Sequence, residues 1–200
     1  MISVWEVLER ERKLIAVMDT ENITVALGKK QSNALLFAIR NFLSLRLKNR
    51  RIKEKELIAF FGLHPRKRKY YLKRTLKMLG FKVKTIKLKL PYRAEQIDHE
   101  VLSHLHSLAR KRHKTITDIV LIASDNDYAN ALAEIQRKWQ FNNIGKIIVI
   151  SRANSSKLKK WSSEFWKVTI KRTNQLISAD QKDFKAISVN GYTVVFERLK

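Results

Sequence analysis

Apolar runs of strand length alternate with stripes of helical spacing from Lys13 onward, and that alternation predicts βαβ units around a mostly parallel sheet. Leu14–Met18 (LIAVM) is an unbroken apolar run, short enough for a strand buried on both faces, and Asp19 follows it directly. Leu35, Ala38, Ile39 and Phe42 then recur at helical spacing, with Arg40, Lys48 and Arg50 mostly off the stripe. A second run, Leu57–Phe61, is broken by Gly62 and Pro65 before a helix near Arg66–Leu79, whose stripe is Leu72, Leu76 and Leu79. Gly80 is placed to cap that helix. Phe81–Leu88 alternates apolar with basic and reads as a strand near the sheet edge.

The next helix, roughly Glu95–Arg112, buries Ile97, Val101, Leu102, Leu105 and Leu108 and carries Asp98 in its first turn. Asp118–Ala123 (DIVLIA) is the second strongly buried strand and runs into Ser124–Tyr128 (SDNDY), then into a helix with Leu132, Ile135 and Trp139 on one side. Lys146–Ile150 predicts a further strand, Ser155–Ser163 a helix and Phe165–Ile170 a last strand. Beyond Arg172 the pattern changes. Lys185–Val189 and Tyr192–Phe196 flank Asn190-Gly191, the strongest short-range hairpin signal, because Asn-Gly suits a type I′ turn. The expected organisation is an N-terminal helix or extension over residues 1–12, an α/β domain over 13–171, and a C-terminal β-hairpin extension over 172–200.

Composition narrows the class. The chain has 200 residues, 44% of them apolar, with 5 Gly and 2 Pro, enough to bury one sizeable core and too ordered in pattern for a disordered chain. A net charge of +24 exceeds what solubility requires and attracts polyanions, which disfavours an enzyme of neutral small molecules. With no Cys there is no disulfide, thiol nucleophile or thiolate metal site, so any metal must sit on oxygen or imidazole. No stretch approaches the ~20 apolar residues of a membrane helix, and Glu6, Glu9 and Glu11 suit neither a secretory signal nor a transit peptide. The expectation is a soluble, cytoplasmic protein.

In open parallel sheets, ligands bind beyond the carboxyl ends of the strands. Asp19 ends the first buried strand, and Asp125 and Asp127 follow the DIVLIA strand, so the three carboxylates meet if those strands are neighbours. Asp98, opening a helix on the same rim, is a fourth. Crowded carboxylates either keep protons or share a hard cation, and Mg²⁺ or Mn²⁺ takes oxygen ligands. Such a cation next to a phosphodiester supports hydrolytic cleavage. Each residue also has a plain structural use, since Asp125 or Asp127 could cap the following helix and Asp98 could be a first-turn acid. Asp19 is harder to explain that way, because a carboxylate directly after a buried strand is costly to desolvate without a partner. His99, His104 and His106 have no zinc spacing, and there is no GxGxxG or Walker loop.

MDTEN (18–22), the Gly80-Phe81 junction, Asp98 and SDNDY (124–128), in this order, resemble the NYN domain of the PIN-like nuclease superfamily over Lys13 to Ile170. The resemblance implies a Rossmann-like α/β/α sandwich and a metal-dependent ribonuclease. It implies that Asp19, Asp98, Asp125 and Asp127 form the metal site, shaped by Asn22 and Ser124. Asn126 stands where the family usually has Gly, Glu95-Gln96-Ile97 replaces a Lys-Gly-Val lead-in, and His104 stands where a second Asp is often found.

The positive charge is concentrated. Between Arg46 and Lys89 there are 17 Lys and Arg against 2 acids. Arg50 and Arg51, then Arg66, Lys67, Arg68, Lys69, Lys73, Arg74 and Lys77, are the candidate RNA-backbone contacts, and Tyr70 and Tyr71 are candidates for base stacking. Lys157, Lys159 and Lys160 beside Trp161 form a smaller patch, with Trp161 and Trp166 expected to pack on the sheet. The reading is a Mg²⁺- or Mn²⁺-dependent ribonuclease with RNA as partner. Its rival is a non-catalytic RNA-binding module in a ribonucleoprotein assembly; a DNA-binding architectural protein explains the charge but not the acidic rim. The hairpin is a candidate surface for substrate, a protein partner or a second copy of the chain.

Overall fold

A computed structural model describes residues 12–49, 52–63, 70–88, 95–172, 180–181 and 183–199. The expected N-terminal helix lies outside them, except that Arg12 belongs to the first strand. That strand, β1 (Arg12–Asp19), is followed by a short helix α1 (Thr20–Thr24) and the long α2 (Lys29–Asn49). Next come β2 (Ile52–Leu63), α3 (Tyr70–Met78), β3 (Lys82–Lys87) and α4 (Glu95–Arg110). β4 (Ile116–Ile122) leads through a 3₁₀ turn (Asn126–Tyr128) into α5 (Ala129–Arg137), β5 (Ile144–Ser151), α6 (Ser156–Lys160) and β6 (Glu164–Arg172). The chain closes with β7 (Asp180–Gln181), β8 (Phe184–Val189) and β9 (Tyr192–Leu199).

The fold is an α/β, Rossmann-like three-layer sandwich around one mixed sheet. Its strand order is β3-β2-β1-β4-β5-β6-β9-β8-β7. The first six strands are parallel and the last three antiparallel. Alternation along β1 shows why both faces are covered: Leu14, Ala16 and Met18 pack under α2 and α3, whereas Ile15 and Val17 pack under α4 and α5. β3, with its alternating lysines, lies at the edge as its pattern predicts. Gly80, at φ +82°, ends α3 as expected: its N–H donates to Lys77 O, and the Phe81 N–H to Leu76 O, both at 3.0 Å.

The C-terminal hairpin forms with Asn190 and Gly191 at φ 51° and 77°, both left-handed as a type I′ turn demands. It is built into the sheet. β9 pairs with β6, and Val194 and Phe196 are buried in the core, where the Phe196 ring stacks on Phe42 at 4.6 Å between centroids. The helix after SDNDY stops at Arg137, so Trp139 leaves the apolar face assigned to it and stands 43% exposed.

Between β1 and β4 the chain order turns from one side of the sheet to the other, since β2 and β3 lie beyond β1 on one flank and β4 to β6 on the other. The carboxyl ends of β1 and β4 therefore border the crevice where parallel α/β sheets present their loops to ligands.

Candidate active site

Asp19 is the last residue of β1 and is buried, 1% exposed. One carboxylate oxygen caps α1 by accepting the Asn22 N–H at 3.0 Å, and the other accepts the Tyr128 hydroxyl at 2.5 Å. The same hydroxyl lies 2.8 Å from Asp98 Oδ1. A phenol carries one hydrogen, so it cannot donate to both carboxylates at once, and a proton retained on one carboxyl satisfies the second contact. The electrostatics agree. Burial drives the Asp19 carboxyl up to about 6, against the lowering pull of its Tyr128 and Asn22 hydrogen bonds, and the charge of Asp98 adds to the rise. Burial also raises Asp98, opposed by Tyr128 and reinforced by the negative charges of Asp125 and Asp127. Burial first, and then the two carboxylates, hold the Tyr128 hydroxyl firmly protonated.

Asn22 and Ser124 lock the strand ends together. The Ser124 N–H donates to Asn22 Oδ1 at 2.6 Å, tying the end of β1 to the end of β4, and Ser124 Oγ accepts the Arg152 N–H at 2.9 Å, tying β4 to β5. Arg152 Nη1 closes the ring by donating to the carbonyls of Ile23 at 3.2 Å and Val25 at 2.6 Å. On the other flank, the start of α4 packs closely on β2, where a Cβ on Gly62 would sit 2.6 Å from Ile97 Cδ1 and oblige that side chain to shift. That approach brings Asp98 to the rim.

Asp19, Asp98 and Asp125 line one cavity of about 240 Å³, together with Glu21, Asn22, Val25 and Ile97. Asp127 does not. Its side chain is exposed, its N–H donates to Asp125 Oδ1 at 3.0 Å within the 3₁₀ turn, and it reaches the site only through its field on Asp98. Tyr128, Glu21 and Arg152 were not expected at the site. The sequence showed Tyr128 only as the aromatic that ends SDNDY, and it is its complete burial that obliges the hydroxyl to find a partner.

Of the expected RNA contacts, Lys73, Arg74 and Lys77 lie on α3, which starts from the rim where β2 ends; Arg74 and Lys77 are exposed and Lys73 half-buried. Tyr70 is 55% exposed, whereas Tyr71 packs against the core under the Lys29 ammonium. Arg50, Arg51, Arg66, Lys67, Arg68 and Lys69 lie outside the described residues. In the smaller patch, Lys160 covers the face of Trp161, which packs partly buried against the core, and Trp166 is buried within β6.

Among the described residues, no three carboxylate or imidazole groups converge tightly enough to form a ready-made cation cage. The donor set nevertheless fits a hard cation. It is all oxygen and it lines one cavity, where burial first, and then the neighbouring carboxylates, push Asp19 and Asp98 toward protonation.

No protein-family model matches the chain, and no curated protein matches it. Among solved structures it is similar to FlhF complexed with GMPPNP and Mg²⁺, at 11% identity and a TM-score of 0.28, covering 79% of this chain and 66% of that one. No helix among the described residues is long and apolar enough to cross a membrane.

Proposed function

We propose that the chain is a metal-dependent ribonuclease acting in the cytoplasm, in line with the NYN resemblance of its motifs. The observation that carries this reading is the convergence of Asp19, Asp98 and Asp125 on one cavity at the switch point of the sheet, short of countercharge. These three aspartates would hold Mg²⁺ or Mn²⁺, and a bound cation would supply Lewis acidity toward a phosphodiester and a water of lowered pKa. The remaining roles belong to the chain. Tyr128 fixes the spacing of Asp19 and Asp98, Asn22 and Ser124 hold the two strand ends in register, and Asp127 strengthens the negative field. Lys73 and Arg74, in the first turns of α3, hold the RNA backbone near the rim, and the overall charge of +24 draws it in.

One observation favours a second reading, a non-catalytic RNA-binding module: Tyr128 already occupies both Asp19 and Asp98. Incubating end-labelled RNA with the full chain separates the two. Under the ribonuclease reading, Mn²⁺ yields cleavage that EDTA and Asp125→Asn each abolish while RNA binding survives. Tight binding with no cleavage in Mg²⁺ or Mn²⁺ would establish the module instead.

A further inference from the structure

Two loops at the opposite pole from the acidic cavity form one surface. The first, running from the end of α4 to β4, presents Arg110, Lys111, Arg112 and Lys114 to solvent. The second, between α5 and β5, exposes Trp139 (43%) and Phe141 (77%). Hydrogen bonds clamp the loops together. The His113 N–H donates to Asn142 O at 3.1 Å, and Asn142 Nδ2 donates to Ala109 O at 2.5 Å. Asn143 Nδ2 donates to His113 O at 2.7 Å, and the Thr117 N–H to Asn143 O at 2.8 Å. His113 is buried between them, and Asn143 takes a left-handed φ of 55°, which asparagine tolerates. The two loops that carry the rings and the cations are thus tied to each other.

The charges there are available. Among the described residues no carboxylate pairs with Arg110, Lys111, Arg112 or Lys114, and the nearby Glu134 is engaged by His106 and Lys138. Exposed rings beside unpaired cations match both halves of an unpaired nucleic-acid strand: the rings take base faces, and the cations take phosphates. We propose that this surface is a second RNA-binding site, taking a single-stranded segment with bases stacked on Trp139 and Phe141 and phosphates on the 110–114 loop. β4 has 7 residues, and at about 3.3 Å each they set the surface roughly 20 Å from Asp125. The site goes beyond the ribonuclease reading, because it needs neither cleavage nor a cation.

The test titrates the full chain carrying Asp125→Asn, in EDTA, with a uridine oligonucleotide of about twelve nucleotides. Trp139→Ala with Phe141→Ala is expected to weaken binding about tenfold or more and to leave binding of a duplex nearly unchanged. Lys111→Ala with Arg112→Ala should reduce the salt slope by about 1.4. Quenching of tryptophan fluorescence on binding, lost in Trp139→Phe, reports the stacking without depending on how the double variants fold. Equal affinity of the parent and the aromatic variant for the oligonucleotide would overturn the proposal. So would a dimer, seen by sedimentation equilibrium, that the aromatic variant dissolves. Failure of the ribonuclease reading appears in the cleavage assay, which this titration does not measure.

Discussion

The single hydrogen of the Tyr128 hydroxyl serves two carboxyls, and that shortage defines the site at the scale of residues. Replacing the hydroxyl by hydrogen takes away the donor that lies against both the buried Asp19 and the half-buried Asp98. Tyr128→Phe is therefore expected to cost about 1–3 kcal/mol at neutral pH, read from urea unfolding; unchanged stability would show that the hydroxyl does not hold the pair. Asp19 and Asp125 were legible in the sequence because each stands at or just beyond the end of an apolar run, where a parallel sheet delivers side chains to its rim, whereas Asn22 and Ser124 were pointed to only by the resemblance of MDTEN and SDNDY to the NYN motifs. Asp127 stands outside the cavity for a local reason. In the 3₁₀ turn its amide points back to Asp125 while its carboxylate faces water. Tyr128 was visible as an aromatic after SDND, but the use of its hydroxyl depends on Asp98, 30 positions away in the chain.

Among the elements, the join between the parallel strands and the hairpin rests on Glu164 at the start of β6. It is 4% exposed and accepts hydrogen bonds from Arg46 on α2, from Lys146 on β5 at 2.8 Å and from the Trp166 indole at 3.3 Å. Burial pushes this carboxyl up, yet the hydrogen bonds and charges of Lys146 and Arg46 outweigh it and pull it down to about 2 from 4.5. A carboxyl lowered on folding contributes stability that is present above its unfolded value and lost as pH falls toward its folded one. The wild type should therefore lose stability between about pH 4.5 and 2, and Glu164→Gln should lack that part of the acid transition. At pH 7 the variant is expected to be about 3 kcal/mol less stable, because it leaves the half-buried Arg46 charge without its carboxylate. Parallel acid unfolding curves for the two proteins would contradict this. The hairpin was legible from Asn190-Gly191, whereas the polar half of β2, IKEKE, carries no apolar run to mark it as strand. Trp139 was misplaced because its helical spacing continues past the point where α5 ends.

For the whole molecule, a net charge of +24 stands against a cavity whose charged lining is wholly acidic, and under the ribonuclease reading the first would gather a polyanion while the second holds a cation. The α/β class was legible because buried parallel strands announce themselves as unbroken apolar runs. The hairpin's place within the sheet was not, since pairing between β6 and β9 is a contact across sequence that local pattern does not encode. The ribonuclease reading requires that carboxylates from β1, α4 and the β4 loop act as one cation site. Electron paramagnetic resonance of Mn²⁺ titrated with the full chain tests this directly. The account predicts that the free-ion signal falls on adding the wild type and persists with Asp19→Asn/Asp98→Asn. A signal that persists with the wild type, or falls equally with both proteins, would contradict it.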